Sequence, residues 1–102
     1  MNETYKLLEA KLSRVLSEIR IQHDAGRVFF GTDKEFTDAL KQLDEYIFQA
    51  NEFGLGYENI VCILEGGEFS ISGKSAVCLL EVALLLGYKT ERPEDQNFNR
   101  NS

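Results

Sequence analysis

Leu8, Leu12, Val15 and Ile19 recur at spacings of four, three and four, with Tyr5 and Leu16 beside them. That rhythm places them on one side of a 3.6-residue repeat and predicts an amphipathic helix ending near Gly26. After a short connection, Arg27 to Gly31, Thr32 stands three residues before Glu35. This is the capping-box pattern, in which hydroxyl and carboxylate satisfy orphan amides at a helix start. The second helix then carries Phe36, Leu40, Leu43, Ile47 and Ala50 on its core face. Asp38, Glu45 and Glu52 recur every seven residues on the opposite side, as an acidic stripe interrupted by Lys34 and Lys41.

The stretch Leu55 to Glu65 reads two ways. Asn59 to Leu64 suits a buried strand turning through Gly66 and Gly67 into Glu68 to Ile71, a hairpin. Tyr57, Ile60 or Val61, and Leu64 equally keep a helical spacing, with Gly66 as a C-terminal cap. Farther on, Ser72 is placed to cap a helix from Gly73 to Leu86 that closes at Gly87. Lys74, Glu81 and Tyr88 share its one polar stripe, so the remainder is expected to be buried. The segment Glu91 to Ser102 is polar and is expected to be disordered or loosely attached.

These elements predict an all-α fold, a compact single-domain bundle of about four helices over residues 1–90 with a polar tail over 91–102. The alternative is α+β, with a short hairpin at 60–71. A chain of 102 residues buries roughly 60–65% of its unfolded surface, enough for one core.

Charge changes the picture more than length does. Seventeen acids against eleven bases give a net charge of -6 and a pI near 4.7, which sets long-range repulsion against any phosphate backbone. Direct nucleic-acid binding is therefore not expected. Residues 32–68 hold nine acids and two bases, a local net of -7, whereas residues 1–31 stand at +1 and residues 69–102 at zero. Such a block steers basic partners and selects against acidic ones. Its plainer reading is a solvated surface that keeps the chain soluble.

Candidate chemistry is sparse. Cys62 and Cys78 lack CxxC spacing and His23 has no neighbour at ligand spacing, so no metal site or cofactor is expected. Both cysteines sit in apolar runs and read as core. Ser72-Gly73-Lys74-Ser75 invites comparison with a phosphate-binding loop, but the position that needs the first glycine is Glu68. Ser72 as a cap and Lys74 as a solvated lysine explain the motif. His23 beside Asp24 reads as a surface residue, no pair of carboxylates is singled out, and no enzymatic activity is expected. There is no leader-like pattern, and the longest nearly apolar run, Ala76 to Leu86, contains Glu81 and is too short for a bilayer. The sequence thus predicts a cytoplasmic protein without membrane contact. Phe29 and Phe30 remain open between core and interface, and Phe48 leans toward core.

One resemblance adds to this reading. The run from Asn51 to Cys62, with Phe53-Gly54-Leu55-Gly56, then Phe69-Ser70-Ile71-Ser72 and Leu79 to Gly87, resembles small bacterial immunity proteins of the Maf-type and contact-dependent growth inhibition systems. Gly56 stands where that pattern has alanine, and the likeness covers residues 45–90. It implies that Leu55 to Glu65 is helical. It also implies a protein that binds and neutralises the toxic domain of a secreted effector, often an RNase. A basic nuclease is a fitting partner for an acidic protein that covers its active site. From surface charge, the partner-binding residues are expected to be Asp38, Glu45, Phe48, Glu52 and Glu58, in a protein that is monomeric when free. The alternative function is a helical adaptor or regulator without a toxin partner, homodimeric through the final helix.

Overall fold

The structure, a computed structural model, describes residues 3–87. Five α-helices follow one another: α1 (Glu3–Arg20), α2 (His23–Phe30), α3 (Asp33–Asp44), α4 (Phe53–Gly66) and α5 (Gly73–Leu85). A π-helical segment, Glu45–Gln49, continues directly from α3. Among the described residues there is no strand, so the all-α fold holds and the hairpin at 60–71 does not form. Five helices replace the expected four because the first predicted helix is two. The proposed tail and Tyr88 lie outside the described residues.

The apolar stripe of α1 is as its spacing demands: Leu8, Leu12, Val15, Leu16 and Ile19 are all buried. The helix ends at Arg20 and not at Gly26. Ile21 and Gln22 break it, and α2 takes in most of the expected connection. Gly26 lies inside α2, where an added Cβ would stand 2.3 Å from the Phe36 ring. Glycine here permits close approach of two helices; it does not stop one. The α2 helix ends instead at Gly31, with φ at 97°.

Thr32 caps α3, its hydroxyl accepting from the Glu35 amide at 3.0 Å. Phe36, Leu40, Leu43 and Ile47 face the core as predicted, but Ala50 is exposed. The core joins these side chains to the α1 stripe, to Phe53, Ile60 and Ile63 of α4, and to Val82 of α5. Phe30 and Phe69 pack against its edge, with Phe30 stacked on Phe36 at 5.8 Å. Phe29 meets Phe30 edge-on at 4.8 Å, yet stays 38% exposed. Neither cysteine is a fully buried core residue: Cys62 is exposed and Cys78 half-buried.

The last helix departs most from expectation. It lies chiefly against α1, with a smaller contact to α4. Only Ser75, Val82 and Ala83 are fully buried, while Val77 is 50% and Leu85 43% exposed. An apolar surround therefore remains uncovered, because one neighbouring helix shields only one side. The pairing runs antiparallel, with Glu18 at the start of α5 and Lys11 bonded to Glu81 farther along at 2.8 Å. No described helix is long and apolar enough to cross a membrane.

Candidate functional site

The predicted acidic stripe is divided by the backbone. Asp38 and Glu45 are seven residues apart on continuous helix, but the π segment then adds a residue to the turn, closed by the Ala50 amide donating to the Glu45 carbonyl at 2.8 Å. Asn51 follows at φ 53°, and Glu52 is no longer helical. The Glu52 amide donates to the Tyr46 carbonyl at 2.7 Å, folding the chain back before α4 begins. Gly56, in the first turns of α4, allows this return: a Cβ there would lie 2.9 Å from Cγ1 of Ile47.

The five expected binding residues consequently occupy three settings. Asp38 is exposed but paired, Lys34 donating to it at 2.9 Å. That bond, with the Lys34 and Lys41 charges, holds the Asp38 carboxyl below its ordinary value and raises the Lys34 ammonium in turn. Glu45 and Phe48 are exposed on the π segment, Phe48 at 42%. Phe48 is thus not a core residue. Glu52 and Glu58 are brought together at a shallow depression of about 430 Å³ between the starts of α1 and α4 and the end of α5.

This depression joins charge to apolar surface. Phe53, Leu8 and Leu86 contribute to its lining, and Tyr5 and Leu55 stand at it 41% and 43% exposed. Tyr5 packs edge-on against Phe53, ring centroids 5.2 Å apart, which fixes both rings. Glu52 and Glu58 form no ion pair among the described residues. Asp44 differs: it receives Arg20 at 2.7 Å and spends its charge tying α3 to α1. Two carboxylates beside oriented aromatic and aliphatic surface suit a lysine or arginine, whose stem packs on the rings while its head meets the acids.

A second depression, about 600 Å³, lies at the α1–α2 break and was not foreseen. Ile21 and Val28 line it at 72% and 78% exposure, beside Asp24 and Glu68. The sequence held one signal for it. After Ile19 the next positions on the α1 stripe are Gln22 and His23, so the buried face ends there and Ile21 has no core to enter.

The phosphate-loop look-alike is fully occupied from within. The Glu18 carboxylate accepts from the Ser72 amide and the Ser72 hydroxyl, each at 2.7 Å, and from the buried Ser75 hydroxyl. The Ser72 hydroxyl in turn accepts from the Ser75 amide at 3.2 Å, capping α5 as expected. Led by the Ser75 bond, these contacts hold the Glu18 carboxyl below its ordinary value. A carboxylate already sits at the helix N-terminus that a phosphate would need. No group of three or more potential metal ligands occurs among the described residues. Compared with known proteins, the chain matches no family model, no curated protein and no solved structure.

Proposed function

We propose that this protein works by capturing a basic protein partner through the depression where Glu52 and Glu58 meet Tyr5, Phe53 and Leu55. The observation that carries the reading is the convergence, at one place, of half-exposed apolar side chains with two carboxylates that form no ion pair among the described residues. Glu45 and Phe48, exposed on the π segment, are a separate and secondary part of the proposed surface. Asp38, neutralised by Lys34, contributes less. Following the resemblance to Maf-type and contact-dependent growth inhibition immunity proteins, the partner is the nuclease domain of a secreted toxin, and binding covers its active site without catalysis.

The test is to purify the C-terminal domain of any secreted effector encoded beside this gene and measure its affinity for this protein. Glu52→Lys with Glu58→Lys should weaken binding about a hundredfold, or ~2.7 kcal/mol, and release the nuclease activity. Asp38→Lys should change affinity less than about threefold. Equal losses at both places, or none at Glu52 and Glu58, would sink this site.

The exposed Val77 and Leu85 favour a second reading, an adaptor dimerising through α5. Sedimentation separates the two: a concentration-independent monomer supports partner capture, and a tight dimer lost in Val77→Glu supports the adaptor.

A further inference from the structure

We infer that the outward face of α4 docks a basic amphipathic helix of the captured partner, running from the Glu52 and Glu58 depression to the Phe29 ring; this rests on the reading of that depression given above. Leu55, Glu58, Asn59, Cys62, Glu65 and Gly66 are the exposed positions of α4. They fall into three rows at seven-residue spacing: Glu58 with Glu65, Leu55 with Cys62, and Asn59 with Gly66. Seven residues are close to two turns, so each row lies nearly along the helix axis. The middle row is uncharged. Leu55 is 43% exposed, and the exposed Cys62 continues its row as a small hydrophobe. At the far end the face meets aromatic surface: a Cβ on Gly66 would stand 2.7 Å from the Phe29 ring, and Phe29 is itself 38% exposed.

The acid row beside this apolar one is left open by the chain itself. From residue 42 to residue 73 there is no lysine, arginine or histidine, and neither Glu58 nor Glu65 forms an ion pair among the described residues. Asp24, Asp33, Asp38, Asp44 and Glu81, by contrast, each meet a base. Helix stability does not account for Glu65. It stands in the last turn of α4, which holds no base, at the end of a helix where the macrodipole disfavours a carboxylate.

Charge and spacing together select the occupant. The local field and the net charge of -6 both attract a basic partner and repel nucleic acid or an anionic bilayer. A second copy related by a two-fold would set acid against acid. Glu58 and Glu65 stand about 10.5 Å apart along the axis. A helix laid alongside repeats at the same interval, so it can set lysine or arginine at i and i+7 against both acids while its apolar seam covers Leu55 and Cys62. An extended chain presents one side every ~6.6–6.8 Å, out of step with this interval.

The experiment titrates the isotopically labelled full chain with a synthetic helical peptide of about fifteen residues, its lysines and leucines at heptad spacing, and reads amide NMR shifts. Shifts should run from Leu55 and Glu58 through Cys62 and Glu65 to Phe29. Glu65→Lys should weaken binding about tenfold with an unchanged circular-dichroism spectrum. A peptide of the same composition with its heptad spacing scrambled should also bind about tenfold more weakly. Equal binding of the scrambled peptide, or unaltered affinity in Glu65→Lys, overturns the inference. Shifts confined to Tyr5, Leu55 and Glu58, and lost only in Glu52→Lys with Glu58→Lys, overturn it while leaving the depression as the capture site. No shift at any of these residues sinks both. Shifts along α4 that follow protein concentration without peptide would assign the face to a second copy, which overturns the inference as well.

Discussion

Glu18 does at one carboxylate what two separate devices would do elsewhere: it accepts from the start of α5 and joins that start to α1. Because those bonds favour its charged form, the folded state releases the proton more readily than the unfolded chain, whose value lies near 4.5. Its stabilisation is therefore complete above that pH and is lost as pH falls through the lowered folded value. Glu18→Gln should lower the melting temperature at pH 7 and flatten the loss of stability on acidification; parallel melting curves against pH for the two proteins would refute this. Ser72→Ala removes the cap together with one of the hydrogen bonds to Glu18 and should cost about 1–2 kcal/mol in denaturant unfolding. Gly26→Ala offers a sharper contrast. In an open helix it would stabilise by roughly 0.8–1 kcal/mol, but its Cβ would meet the buried Phe36 ring at 2.3 Å, so the net effect should be destabilising by about 1–3 kcal/mol.

The joint between α3 and α4 belongs to the scale of elements. A seven-residue repeat assumes an uninterrupted α-helix from Asp38 to Glu52, and the buried residues alone do not contradict it, since Phe36, Leu40, Leu43 and Ile47 keep that register. The π turn, Glu45 to Ala50, contains the last of them, Ile47, and no buried position of this helix follows it, so apolar spacing could not reveal the extra residue. Asn51 is the one readable sign, as asparagine tolerates the left-handed region that it occupies. Asn51→Ala should destabilise by about 1 kcal/mol, while Asn51→Gly should be neutral or stabilising, both measured by urea unfolding. Elements bounded by side-chain caps were legible: Thr32 and Ser72 start α3 and α5 where predicted. Glycines were legible where they end helices, as Gly66 and Gly87 do, but not where, like Gly26 and Gly56, they serve tertiary contacts that no local rule anticipates. Of the candidate site, the acids could be named from charge, but the pairing of Glu52 and Glu58 with Tyr5 required the fold-back.

Across the whole molecule, charge is segregated by helix. Residues 33–66 hold eight acids and two bases, whereas α1 and α5 together hold four acids and five bases. The proposed capture of a basic partner by the first group should therefore accelerate at low salt: the association rate should fall steeply as salt is raised, with a much smaller change in dissociation rate. Salt-independent association in stopped-flow mixing would argue against steering. The antiparallel seating of α5 on α1 has a separate bearing on synthesis. These two helices are joined through the Lys11–Glu81 and Glu18–Ser72 bonds, yet the ribosome makes α1 first and α5 last. At about 5–20 residues per second, the intervening stretch of roughly fifty residues takes ~3–10 s to emerge. Throughout that time the Leu8, Leu12 and Val15 stripe has only the intervening helices to pack against and lacks the helix that covers it most, so the nascent chain, and not the finished protein, is where this fold is most open to aggregation and chaperone capture.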